Sequence, residues 1–296
     1  MRKLNKRGSN LARNKTQMSP SKKTNNQSRF QFGVSDFSTS EPLINAEKII
    51  ACGMDFIEPG LAKIAAMPES DFTAAVERLN QNDILVQSVN WFLPPELKVT
   101  GPEVDESKSR QFLESALARA VRLNASAVVF GSPGSRSVPQ GFSAEKARGQ
   151  MIAFLKLCSD VIRENQWDIK IALEHVNHTE TNFVNTFAQA FAIVKAVDRQ
   201  EIGLAADFYH FAMEDESMEV MTEAGDLICA VQLADPEGRC FPKSEVEIPG
   251  LDTFFQQLID IGYDGGISVE ATVDDLEQDC KSAYKHLSEL AKSSLS

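Results

Sequence analysis

From residue 30 onward the chain alternates two hydrophobic periods. Short runs rich in Val, Ile and Phe, with the character of strands, occupy 30–34, 54–58, 84–90, 127–131, 169–174, 202–207, 227–233 and 265–270. Between them, apolar residues recur at helical spacing over 43–51, 70–79, 106–123, 144–165, 182–197, 215–224 and 251–261. A last helical pattern, 275–290, follows the eighth strand. Pro94 with Pro95, and Gly101 with Pro102, break the chain after the third strand.

A faint internal repeat runs through these units. "ACGMDFIEPG" and "DIGYDGGISVE" both read helix end, Gly, apolar residue, Asp, then a strand ending in Glu. "RLNASAVVFGS" is a looser third copy with Asn124 in the glycine slot. Gly or Asn there suits the left-handed residue that terminates a helix. Eight strand–helix units in about 265 residues match the count and length of a (β/α)8 TIM barrel, an α/β fold. A doubly wound sheet is the competing α/β architecture. It more often carries a glycine-rich phosphate loop after its first strand. Here that strand runs into "GVSDFSTSE", without a GxGxxG or Walker pattern.

Four consecutive strands, the fifth to the eighth, end on a residue able to bind metal: Glu174, Asp207, Gln232 and Glu270. In a barrel the C-terminal strand ends face the catalytic mouth. Three carboxylates crowded there would repel one another and raise their pKa values unless a cation neutralises them. Three carboxylates and an amide oxygen are hard donors that suit Mg²⁺ or Mn²⁺ better than zinc. His210, three residues after Asp207, is expected in a loop at the mouth. His175 is expected to point away from Glu174, because neighbours along a strand face opposite sides.

Composition narrows the class. The 296 residues are 43% hydrophobic and 24% charged, with a net charge of −12, as in a soluble globular protein. No apolar run approaches the roughly 20 residues of a membrane span. The five cysteines are scattered without a CxxC pair, which favours the reducing cytoplasm over a disulfide framework. Residues 1–29 hold nine Lys or Arg and no acid, leaving 21 basic against 42 acidic residues beyond them. That head is expected to be a disordered basic tail, and 30–296 the barrel. An acidic body is a poor partner for nucleic acid.

The motifs "MDFIE", "VVFGSPGSR", "LEHVNHTETNFVNT", "ADFYHFAMEDE", "VQLADPEGRCFP" and "GYDGGISVE" occur in this order over 30–290. In them the chain resembles the xylose isomerase-like barrel superfamily, in its sugar isomerase and epimerase branch, which includes ketose 3-epimerases and hydroxypyruvate isomerases. The resemblance implies that Glu174 and Glu270 bind the metal and move protons, and that Asp207 and Gln232 complete the ligand set. Gln232 stands where the epimerases usually carry histidine and the hydroxypyruvate isomerases glutamine. It further implies that His210, Arg239 and Glu58 contact the substrate. Arg239 lies one residue beyond the epimerase spacing. Trp91 and Phe92 are expected as an apolar wall over a sugar ring, balanced against plain packing. The "GSPGSR" loop is weighed between a phosphate site, with Arg136 supplying charge, and a simple turn.

The implied activity is isomerisation or epimerisation of a small keto-sugar or hydroxy-ketone, through an enediolate stabilised by one divalent ion, Mn²⁺ or Mg²⁺. The competing readings are a lyase of keto-inositol dehydratase type, a non-catalytic sugar-binding relative and an endonuclease-IV-like repair enzyme. Four histidines in all and the acidic body speak against the last. The expected partner is a small-molecule sugar, with neither nucleic acid nor membrane. Self-association is left open, because related barrels often form homo-oligomers.

Overall fold

The computed structural model describes residues 29–244 and 246–293. All but the last residue of the expected tail, 1–29, lies outside the described residues. Nine parallel strands follow one another around a ring. They are β1 (Gln31–Ser35), β2 (Phe56–Glu58), β3 (Leu85–Val86), β4 (Ser88–Val89), β5 (Ala127–Phe130), β6 (Lys170–Glu174), β7 (Ile202–Asp207), β8 (Ile228–Leu233) and β9 (Gly266–Val269). β3 and β4 are the two halves of the expected third strand, interrupted at Gln87. One half pairs with β2 and the other with β5, so eight strand positions nearly close a TIM barrel.

Eleven α-helices accompany the strands among the described residues. They are α1 (Ala46–Ala51), α2 (Leu61–Ala66), α3 (Glu69–Gln81), α4 (Glu106–Arg122), α5 (Pro133–Arg136), α6 (Ala144–Glu164), α7 (Phe187–Val197), α8 (Phe208–Met213), α9 (Val220–Ala224), α10 (Leu251–Asp260) and α11 (Leu276–Ser293). The helices α4, α6 and α7 start where a side chain replaces the missing backbone acceptor. Asp105 accepts from Lys108 N, Ser143 from Lys146 N and Thr186 from Gln189 N. The cap at Thr186 also explains why the helix expected from residue 182 starts later. Asn185 Nδ2 donates to Val176 O and Thr181 O, which holds 182–186 in a turn. The repeat's glycine slots carry the expected left-handed backbone, with φ of +106° at Gly53, +60° at Asn124 and +77° at Gly262. None of the described helices is long and apolar enough to cross a membrane.

The wall separates two kinds of packing. Outside it, Phe32, Phe130, Phe154, Leu155, Phe254 and Phe255 are fully or nearly buried between strands and helices. Inside, on the β5–β8 side, the lumen is lined by Ala127, Val129, Ala172, Ala205 and Ala230. On the opposite side Phe56 lies across Gly33 and Gly266, where an added Cβ would overlap its ring. Small residues on one wall and a single aromatic over glycines on the other fill the lower lumen. Above that layer the lumen turns polar.

Candidate active site

Glu174 is the last residue of β6 and Asp207 the last of β7, both buried. Asp207 also caps α8, through Oδ1 accepting from Tyr209 N at 2.8 Å. This short helix replaces the expected loop and places His210 one turn above Asp207. The ring Nε2 of His210 lies 3.3 Å from Glu174 Oε1 and 3.6 Å from Asp207 Oδ2. Among the described residues, Glu174, Asp207 and His210 are the one group of at least three acidic, His or Cys side chains arranged to hold a metal ion. The backbone N–H of Asn177 donates to His210 Nδ1 at 3.2 Å, so that nitrogen accepts and Nε2 carries the proton toward the carboxylates.

Glu270 follows β9 directly. Its Oε1 accepts from Asn90 Nδ2 at 2.8 Å and its Oε2 pairs with Arg239. Arg239 has a left-handed backbone, φ +48°, and stacks between Phe37 and Tyr209, 4.0 and 4.4 Å from their ring centres. Its other terminal nitrogen reaches Glu180 at 2.7 Å. Gln232 lies on β8 in register with Asp207 on β7. Its Nε2 donates at 2.7 Å to Glu58 Oε1.

Burial sets the protonation. Desolvation pushes Asp207 up to about 6, opposed by His210 and reinforced by Glu174. Desolvation also holds Glu270 well above the usual carboxylate range despite Arg239, with Glu174, Asp207 and Glu58 adding to the shift. Burial lowers the proton affinity of His210, but Asp207 and Glu174 outweigh it and leave the ring above its ordinary value. A second proton would still have to displace the Asn177 N–H from Nδ1.

A cavity of about 100 Å³ opens at the mouth. Glu174, Glu180, Glu270, His210, Arg239, Asn90 and Trp91 contribute to its wall, whereas Asp207, Gln232 and Glu58 stand behind it. Trp91 is 48% exposed, as a wall residue would be. Its neighbour Phe92 is fully buried against Phe112, Phe130 and Phe154, which corrects the expectation that both face the sugar. Glu58, expected at the substrate, is 1% exposed and closed on Ser35, Ser88 and Gln232. Arg136 overturns the phosphate reading of its loop. It is fully buried, and its guanidinium donates to Glu174 O at 2.6 Å and to the more distant Phe130 O and Val184 O. Desolvation lowers it to about 10. His175 points into the helix layer, packed on Phe211 and Phe187.

The donor set fits a divalent cation. Glu174 Oε1, Asp207 Oδ2 and Gln232 Oε1 are each buried without a hydrogen bond. Leaving a buried acceptor unsatisfied costs about 1–3 kcal/mol, more for a charged one. A hard cation would satisfy all three with the oxygen chemistry it prefers. The two oxygens of Glu270 are already engaged, so this carboxylate would have to share itself with Arg239 and Asn90. A Cβ on Gly131, just after β5, would overlap Glu174 Oε2, so the glycine makes room for that carboxylate.

Sequence reasoning missed Asn90, Glu180, Asn177 and Gly131. Asn90 ends the run "ILVQSVN", so the rule that found Glu174 and Asp207, a polar residue closing an apolar run, also reaches it. Asn177 and Glu180 lie in an irregular loop, where no periodicity marks them.

Comparison with known proteins agrees with this architecture. The profile of the family described as xylose isomerase-like TIM barrel matches residues 46–292. Inosose isomerase of Bacillus licheniformis is 34% identical over 137 residues, 43% of this chain and 48% of its own length. Ketose 3-epimerase of Arthrobacter globiformis is 31% identical over 110 residues, 37% of each chain. The chain thus spans about half or less of the length of the curated relatives it matches. The crystal structure of D-allulose 3-epimerase from Methylomonas sp. superimposes with a TM-score of 0.75 at 20% identity, over 89% of this chain and 98% of that one. The IOLI protein with a bound zinc atom gives 0.67 at 20% identity, over 89% and 99%. By its fold and by the match across most of its length, this chain belongs to the xylose isomerase-like TIM barrel family.

Proposed function

We propose that the protein is an isomerase or epimerase of a neutral keto-sugar or keto-inositol that works with one divalent metal ion. The observation that carries this reading is the set of buried oxygens without a hydrogen bond on Glu174, Asp207 and Gln232, beside a cavity whose wall includes the carboxylates of Glu174 and Glu270. Relatives named for ketose epimerisation and inosose isomerisation support the same class. Glu174, Asp207 and Gln232, with a share of Glu270, would hold the ion. Bound there, a dication supplies a Lewis acid that lowers the barrier to losing a proton beside a carbonyl.

The chain's own residues do the rest. One of Glu174 and Glu270 takes the proton from the carbon next to the carbonyl. The C–H electron pair becomes a carbon–carbon double bond and the carbonyl π pair moves onto oxygen, giving an enediolate. A proton then returns from a carboxylate, to the opposite face in epimerisation or to the neighbouring carbon in isomerisation, where the remaining hydroxyl proton also passes to the other oxygen. His210 presents Nε2–H and Arg239 its guanidinium to the cavity, where negative charge grows on substrate oxygen. Trp91 offers an apolar surface to one face of the sugar.

The wall also argues for an uncharged substrate. Glu174, Glu180 and Glu270 face the cavity, while Arg239 is already paired with two of them. A bound dication brings that balance near neutrality, leaving no spare positive charge for a phosphate. The test is a panel of keto-sugars, their phosphates and keto-inositols with Mn²⁺ or Mg²⁺ in D2O, followed by NMR. Interconversion with deuterium entering beside the carbonyl of an unphosphorylated substrate is expected. A dehydrated product absorbing in the ultraviolet would assign the site to a lyase, with His210 as the acid. Exclusive turnover of phosphates would overturn the neutral-substrate reading.

A further inference from the structure

Glu58 is a fully formed carboxylate site with nothing to do at the cavity. It sits on β2 at 1% exposure, and every polar partner it has is another buried side chain. Its Oε1 accepts from Ser35 Oγ at 2.6 Å and from Gln232 Nε2 at 2.7 Å, and its Oε2 accepts from Ser88 Oγ. Ser35, having given its proton to Glu58, accepts from Asn90 Nδ2 at 2.7 Å. The same Asn90 nitrogen donates to Glu270 Oε1. The donors of Ser35, Ser88 and Gln232 thus converge on Glu58, whereas Asn90 divides its nitrogen among Ser35, the Asp36 carbonyl and Glu270.

A primary amide has one donating end and one accepting end. With its nitrogen committed to Glu58, Gln232 turns its oxygen away from Glu58, and that oxygen is buried and without a hydrogen bond. Asn90 shows the same pattern, with Nδ2 committed and Oδ1 buried and unpartnered. The reverse orientation of Gln232 would set an amide oxygen against a carboxylate oxygen at hydrogen-bonding distance, acceptor facing acceptor.

Resting on the metal site proposed above, we infer that Glu58 is its positioning residue: by fixing the Gln232 amide, it presents Oε1 rather than Nε2 to the Glu174 and Asp207 carboxylates. The glutamine at this strand end is then an obligate oxygen donor, and it is Glu58 that makes it one. Residues behind metal ligands that fix orientation in this way typically change metal affinity by about 10–100-fold.

The experiment is a double-mutant cycle on the full-length protein, with Mn²⁺ binding measured by calorimetry and folding followed by circular dichroism. Glu58→Gln preserves shape but offers the Gln232 amide a partner of either sense. It is expected to weaken Mn²⁺ binding on the order of tenfold. In a Gln232→Leu background, the same Glu58→Gln change is expected to cost less than about twofold, because the amide it orients is gone. Equal losses in both backgrounds, or no loss in the first, would overturn the inference. Failure of the unaltered protein to bind Mn²⁺ would instead overturn the metal site itself, and this inference with it.

Should Glu58→Gln not fold, the unaltered protein still decides. In protein carrying ¹³C and ¹⁵N glutamine, with the Gln232 signals assigned from Gln232→Leu, Mg²⁺ should shift the side-chain carbonyl carbon more than the amide nitrogen. The reverse order would show the nitrogen end facing the ion and sink the proposal.

Discussion

On the β6–β7 side of the mouth, Glu174 and Asp207 each leave a buried oxygen without a hydrogen bond. Across the lumen, Glu58 and Glu270 have all four of their oxygens engaged, by Ser35, Ser88, Gln232, Asn90 and Arg239. Both halves are buried, so burial alone does not explain the difference. The satisfied half is built from hydroxyl, amide and guanidinium donors of the protein itself. In the open half Tyr209 N–H takes Asp207 Oδ1, and only the His210 ring stands near Glu174 Oε1 and Asp207 Oδ2 among the described side chains. The cation proposed above would complete the second set as the protein's own donors complete the first.

The comparison breaks most visibly at the carboxylates that line the cavity. Glu174→Gln and Glu270→Gln should each lower kcat by about 10³-fold while the circular dichroism spectrum is unchanged. The double variant should cost little more than either single change, since the two act on one intermediate. Near-normal turnover in either single variant would leave that residue as a ligand only.

Gly131→Ala separates the halves without removing any polar atom. The new methyl displaces Glu174 and touches none of the satisfied network. Turnover should fall on the order of 10²-fold, as a misplacement of about 1 Å can cause. Unaltered kinetics would mean that Glu174 has room to move.

Metal addition should close the open half. At a hundredfold excess over Kd, Mn²⁺ should stabilise the protein by about 2.7 kcal/mol, which raises Tm by roughly 5–10 °C. The gain should shrink between neutral pH and about pH 5. Asp207 in the folded protein titrates at about 6, above its ordinary 3.8. A raised carboxyl contributes stability to the metal-free protein below its unfolded value, and that contribution is lost as pH rises through 6. The ion needs the deprotonated form, so protons compete with it below 6. A Tm shift independent of pH would place the ion elsewhere.

The smallest effect is expected at the rim. Trp91→Ala should raise KM severalfold, an effect of about 1 kcal/mol, with Tm nearly unchanged because the side chain is half exposed. A large fall in Tm would make Trp91 a packing residue like Phe92.

Much of this was readable in advance, and for identifiable reasons. The expected strand over 202–207 matches β7 end to end, and Glu174 and Asp207 close strands where the alternation of periods places them. Those assignments rest on local hydrophobic period. The helix α8 was not foreseen, because six residues are too few for a helical period and its start depends on Asp207 turning back to cap it. Trp91 and Phe92 are adjacent aromatic residues, yet one faces solvent and the other the core.

The sequence by itself determined the alternating units, the left-handed slots at Gly53, Asn124 and Gly262 and the strand-end acids, because each follows from the spacing of residues within one or two turns of chain. Only the tertiary structure decided what those acids meet. Arg136 was free to serve a phosphate until the fold buried it against the Glu174 carbonyl, and Glu58 was a substrate residue until β8 brought Gln232 to it. Hydrogen bonds between strands distant in sequence obey no period. Which buried oxygens remain open is therefore set when the barrel closes.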